Sequence, residues 1–267
     1  MSIYASLIKM RFTSGIQYRT AAFAGIITQF AFGFMFITQY LAFYRTNPDA
    51  FPMEMSQVVS YIWVQQAFLA LFFTWFFQNS IFEDITSGQV SYDLARPIDL
   101  YNKWFCQCVA SRLSSTALRC LPILIIGMLL PEPYRLIFPP DIFQFLLFII
   151  SAFLAMAVVV AFSMFIYIST FHTMSPIGVR IIGAVLTDFM AGAIIPLPFF
   201  PDGVRQVAEL LPFAAMQNMP LRIYSGNIAG ADAVYGIIFQ LVWLVVLLFL
   251  GKLWMRKTLG KVVIQGG

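Results

Sequence analysis

Three ionisable residues, Arg112, Arg119 and Asp188, fall inside long apolar stretches of the chain. A central arginine or aspartate in a membrane span costs about 2.5–3.5 kcal/mol even on the mildest insertion scale, so each needs a reason. Arg112 and Arg119 are seven residues apart with Ser115 between them. A helix therefore sets them on one face, with Arg119 roughly 20 Å in from Trp104 by helix rise. Two chemistries fit. One is structural, with the charges paired or snorkelling; the other is a polar lining for a translocation path. In the second case Asp188 with Arg119 would form a carboxylate relay for a proton-coupled secondary transporter.

Other chemistries lack their residues. ATP hydrolysis needs G-x-x-x-x-G-K-[ST], in which backbone amides and the lysine cradle phosphates. Gly251-Lys252 and Gly260-Lys261 are followed by Leu253 and Val262, so neither qualifies. The single His172 excludes H-E-x-x-H metalloprotease chemistry, and no G-x-S-x-G nucleophile elbow occurs. His172 reads as a loop or interface residue. Cys106, Cys108 and Cys120 share one apolar stretch, and side chains two apart on a helix diverge, so no disulfide framework or metal site follows.

The elements that must hold these residues belong to a bilayer. Of 267 residues 60% are hydrophobic and 10% charged, and the mean hydropathy is +0.83, far outside the soluble range. At about 20 apolar residues per span the chain holds roughly six, as one transmembrane domain over the whole length. No connection is long enough for a soluble catalytic domain. The charge of +4 and pI near 9.0 then report topology rather than nucleic acid as a partner.

The spans are expected at about 20–43, 56–78, 104–130, 142–168, 178–197 and 232–251. Before them, residues 2–18 read as a surface helix, with Ser2, Ser6, Lys9 and Thr13 on one face and Ile3, Leu7, Ile8 and Phe12 on the other. Arg11 lands near the apolar face and must snorkel. This leader is too long for a signal peptide and has no A-x-A-like cleavage site, so it is expected to stay attached. An inner N-terminus puts Lys9, Arg11, Arg19, Arg96, Lys103, Arg180, Lys252, Arg256, Lys257 and Lys261 inside, against Arg45, Arg135, Arg205 and Arg222 outside. Both termini are then cytoplasmic, with Asp49, Pro133 and Asp202 in outer loops.

Two connections carry structure. Ser80-x-x-Glu83 has the form of a capping box, so a short helix should begin there and stop at Gly88, with Glu83 and Asp84 at its positive end. Val90, Tyr92 and Leu94 then alternate towards Arg96-Pro97. In the outer connection Pro196, Pro198, Pro201, Pro212 and Pro220 interrupt apolar sequence. Val204, Val207, Leu210 and Leu211 still keep helical spacing, so short helices should dip into the outer interface. On the first span Gly25, Gln29, Gly33, Phe36 and Tyr40 form a stripe, and Gln65, Gln66 and Gln78 punctuate the second. Small residues and glutamines suit an intersubunit seam, or alternatively a substrate cavity.

The string EDITSGQVSYDLARPID from Glu83 to Asp99 resembles ABC transporter permeases of the ABC type-2 exporter family, in its viologen- and multidrug-exporter-like branch. GAIIPLPFFP at 192–201, ELLPFAAM at 209–216, P-L-R-I-Y-S-G at 220–226 and the terminal V-I-Q-G-G add to the likeness. All five occur in order across the chain, whereas QNMP at 217–220 and Gln78-Asn79 depart from the pattern. The resemblance implies an all-α membrane protein of six spans, with an N-terminal interfacial helix, a cytoplasmic coupling helix at about Ile81–Ser87 and broken re-entrant outer helices before the last span. It implies coupling to an ATPase through Ile81, Phe82, Glu83, Asp84, Ile85, Gly88 and Arg96. Gln29, Gln65, Gln66, Arg112, Arg119 and Asp188 are then candidates for a cavity or interface. The partners implied are two copies of a separate ATPase, which holds ATP and Mg, a second permease, identical or paralogous, and membrane lipid. This chain itself holds no cofactor, and the implied cargo is hydrophobic or amphipathic, exported across a bacterial cytoplasmic membrane. Inverted repeats would favour the secondary transporter, and none is found in the sequence. An intramembrane enzyme lacks any nucleophile–base pair or metal cluster.

Overall fold

The computed structural model describes residues 3–17, 19–46, 51–173 and 175–261, with residues 19–21 described by backbone alone. Ser2, Asp49 and the terminal V-I-Q-G-G lie outside the described residues. Regular structure among them is helical. The first helix, α1 (Ile3–Ile16), runs beside the N-terminal half of α7 (Leu100–Leu129), so close that a Cβ on Gly15 would collide with Ser114. Leu7, Ile8 and Phe12 are half-covered while Ser6, Lys9 and Thr13 are exposed, as the amphipathic pattern requires; Ile3 departs from it and is exposed.

Among the described residues four helices are long and apolar enough to cross a membrane: α2 (Arg19–Thr46), α7, α8 (Ile142–Thr173) and α12 (Gly230–Leu259). They match the expected spans at 20–43, 104–130, 142–168 and 232–251, each overrunning at one end or both. Asp99 explains one overrun, because its carboxylate accepts the Asn102 amide at 2.8 Å and starts α7 before Trp104. The central helix is α8, buried along its length from Gln144 to Thr170 between α7, α11 (Met219–Tyr224) and α12.

The expected second span is not one helix. A capping box of Glu54 and Gln57 starts α3 (Met55–Ala67), which breaks at Phe68 into the single turn α4 (Leu69–Phe72); extended backbone follows at Phe73. The fifth is short as well, since α9 (Pro176–Met190) has 15 residues and stops before a left-handed Gly192 (φ +76°). By helix rise α9 covers about 22 Å against a hydrocarbon core of about 30 Å. In the connection between α9 and α12 prolines divide a 3₁₀ turn (Leu197–Phe199), α10 (Asp202–Leu210), a π turn (Ala214–Asn218) and α11. Val204, Val207 and Leu210 on α10 are exposed apolar residues, and Met216 leaves helical geometry (φ −77°, ψ −114°).

Each break exposes carbonyls that no helix can pair, and buried side chains from other elements pair them. Arg112, fully enclosed, donates through Nη1 to the carbonyls of Ala70 (2.8 Å), Leu71 (3.2 Å) and Phe73 (2.8 Å), and through Nη2 to Phe76 (3.4 Å). It caps the broken second span. Gln240 Nε2 donates to Ala215 (2.9 Å) in the π turn, and Gln144 Nε2 donates to Ile223 and Ile228, each at 2.6 Å. Tyr61 and Gln65 on α3 donate to Gly192 (3.1 Å) and Ala193 (2.9 Å), just beyond α9.

Part of the stripe on α2 packs inside the chain. A Cβ on Gly25 would meet the Arg119 guanidinium at 2.9 Å and one on Gly33 would meet Trp63 at 2.7 Å, while Gln29 is buried. Small residues let α2 approach α3 and α7, where bulkier ones would hold it off.

Arg112→Met should therefore destabilise the chain more than loss of a surface charge, because several buried carbonyls lose their only side-chain donor. At about 1–3 kcal/mol per buried group left unpaired, a loss of about 3 kcal/mol or more is expected. Arg112→Lys should recover part of it, since an ammonium reaches fewer carbonyls than a guanidinium fork. Thermal unfolding in detergent checks this, and an unchanged midpoint for Arg112→Met would show that the cap carries no weight.

Candidate functional site

The polar turn after the broken second span forms α5 (Asn79–Thr86), followed by α6 (Val90–Leu94). The capping box expected at Ser80 and Glu83 does not form; the helix starts two residues earlier in the chain, behind Gln78. Tertiary contacts set that start. The Gln78 amide donates to Tyr167 Oη at 2.7 Å, and Gln78 Nε2 donates to Ser111 Oγ at 2.7 Å, beside Arg112. Its end is as expected: Ser87 and Gly88 amides bond back to Glu83 and Ile85, and Gly88 takes a left-handed φ of +77°. The alternation of Val90, Tyr92 and Leu94 yields a helical turn, and no strand lies among the described residues to pair it.

Helical spacing sorts the residues expected to couple to an ATPase. Ile81, Phe82 and Ile85 are buried against the bundle and hold α5 in place, so they are not available to a partner as placed. Glu83, Gly88 and Arg96 are exposed, Asp84 is half-buried, and Tyr92 stands 74% exposed beside them. The exposed surface is thus polar with one aromatic ring.

Tyr167 on α8 is the hub beneath it. Its ring lies 4.7 Å from Phe82, 6.0 Å from Phe77 and 6.2 Å from Trp104, and Trp104 stacks on Phe171. Arg180, near the start of α9, sits over the faces of Phe77 (5.2 Å) and Phe82 (5.0 Å). Through these contacts α5 is tied to α7, α8 and α9 together. Lys103 on α7 pairs with Asp93 on α6, both largely covered, which pins the second short helix. None of these roles was read from the sequence. A tyrosine in an otherwise apolar span was the available signal for Tyr167, and Asp93 and Lys103 ten residues apart across Pro97 was that for the ion pair.

The remaining candidates scatter. Gln65 serves a carbonyl, and Gln66 is buried with Oε1 unpartnered. Arg119 packs on Gly25 of α2, and among the described residues neither it nor Asp188 has an ion-pair partner. The expected Arg119–Asp188 relay is not formed within the chain, because α7 turns Arg119 towards α2 while Asp188 sits near the end of α9. His172 is a packing residue, 3.2 Å from Thr258 Oγ1 and stacked on Trp254 of α12.

Burial pushes the Asp84 carboxyl above its ordinary value, with Asp93 adding to the effect and Lys103 opposing it. The folded state thus binds this proton more tightly than the unfolded chain does, so Asp84 lowers stability as pH rises through its folded pKa. Asp84→Asn should melt higher than the wild type near neutral pH, with the gap closing as pH falls towards about 4. A gap that is constant in a pH series of melting curves would contradict this.

No curated protein and no solved structure matches the chain. A family model described as "ABC-2 family transporter protein" matches residues 30–266, which takes in the later part of α2, the three other long apolar helices, the α5–α6 element and the short helices between α9 and α12. By that match over most of its length, the chain is an integral membrane protein that belongs to the ABC-2 transporter family.

Proposed function

We propose that this chain is the permease subunit of an ATP-binding cassette exporter, driven by two copies of a separate ATPase and paired with a second permease, identical or paralogous. The observation that carries it is α5: a short amphipathic helix whose apolar side is locked to α7, α8 and α9 through Phe82, Tyr167 and Arg180, and whose exposed side offers Glu83. A membrane component powered from outside needs a rigid element that receives displacement, and a helix so mounted transmits it where a free loop does not. Six crossings complete this reading, with α3–α4 and α9 as the two broken ones. Both termini, α5 and α6 then face the cytoplasm of a bacterial inner membrane, and Pro133 and Asp202 face outward. The cargo is hydrophobic or amphipathic, of drug-like, peptide or lipid-like kind.

Affinity purification of the tagged chain, with mass spectrometry of co-eluting subunits, should recover an ATPase. Two glycines inserted after Thr86, or Glu83→Ala, should lower both transport and permease-stimulated ATP hydrolysis in reconstituted vesicles, several-fold or more, while the complex elutes at its normal size. Unchanged activity after the glycine insertion would place the coupling element elsewhere.

A further inference from the structure

A cavity of about 390 Å³ opens between α1, the turn after α6 and the first turns of α7. Three cations line it, Arg11, Arg96 and Lys103, against one carboxylate, Asp93, which is already paired with Lys103. Among the described residues the Arg11 and Arg96 side chains make no ion pair or hydrogen bond, although Asp84 lies within electrostatic reach of Arg11. The same cavity is walled by Ile3, Leu7, Met10 and Ile98, and Ile3 and Met10 are 55% and 60% exposed. Guanidinium groups beside exposed alkyl side chains, on an amphipathic helix next to a membrane-spanning one, match a ligand with an anionic head and an apolar tail.

We propose that this cavity is a binding site for an anionic phospholipid, with the headgroup phosphate held by Arg11 and Arg96 and the acyl chains along the apolar side of α1. Arginine forks suit phosphate oxygens, and basic pockets beside membrane helices select anionic headgroups. The Lys103–Asp93 pair keeps its own charges balanced at the cavity floor, so the two arginines carry the selectivity. Lipid bound here ties α1 to α6 and α7 at one site. The inference rests on the membrane reading of α7 and not on ATP-driven transport.

Native mass spectrometry of the full-length chain in detergent, with whatever subunits co-purify, tests it against phosphatidylglycerol, phosphatidylcholine and inorganic phosphate. Phosphatidylglycerol should bind at least about tenfold more tightly than phosphatidylcholine, and about fivefold more weakly for each of Arg11→Gln and Arg96→Gln. The exposed Lys9→Gln on the opposite face of α1, outside the cavity, should change it less than twofold. Either single variant suffices if the double one does not fold. Equal binding of the two lipids, or variants that retain phosphatidylglycerol, would overturn the proposal. Displacement of the lipid by millimolar inorganic phosphate would make this a soluble-anion site and overturn it too. Loss of the co-purifying ATPase with lipid binding intact would assign the arginines to a protein interface instead, whereas lipid selectivity without any ATPase would leave the site standing and remove the transport reading.

Discussion

Backbone carbonyls that leave a helix inside an apolar bundle must find a donor, and in this chain the Arg112 guanidinium supplies four of them at the break in the second span. Water cannot do this in a dry interior, and irregular backbone at membrane depth survives only where protein satisfies it. The same rule recurs at the other breaks. Gln240 serves the π turn, Gln144 the ends of α11 and its following loop, and Tyr61 and Gln65 the turn after α9. The polar residues inside the bundle thus act first as partners for interrupted helices, which is why so few of them gather around one cavity.

This arrangement ties the breaks to α5. Ser111, next to Arg112, accepts from Gln78, and Gln78 in turn starts α5 while its amide reaches Tyr167. A displacement of α5 therefore acts on α7 through Ser111, on α8 through Tyr167 and on α9 through Arg180. The breaks at Phe68 and Met216 are thus parts of one hydrogen-bonded and packed framework rather than separate loops.

Charge is handled by two different means. Near the ends of the spans, pairs such as Lys103–Asp93 and Arg222–Glu209 neutralise it. Deeper, the Arg112 guanidinium is met by carbonyl dipoles rather than by a carboxylate. Arg119 lies against Gly25, where the missing side chain gives it room. Arg119 and Asp188 do not meet within the chain for this reason: a position near the centre of a span says nothing about which neighbouring helix a face meets.

By itself, the sequence determined the membrane environment, the four long apolar helices, the end of α5 at Gly88, the proline-divided segment after α9 and the family. Those features are local. Hydropathy, helical period, glycine's left-handed freedom and proline's missing amide act within a few residues, so they are legible without a fold. Tertiary structure alone decided the broken second span, the start of α5 at Gln78 and the inward direction of Ile81, Phe82 and Ile85. It also decided the roles of Arg112, Tyr167 and Arg180. Met55 to Phe77 carries no charge, glycine or proline and reads as one helix; the break is held by a donor 36 to 42 residues away in sequence that meets its carbonyls. A hydrogen bond between distant segments has no local signature, and so it appears only when the helices are packed.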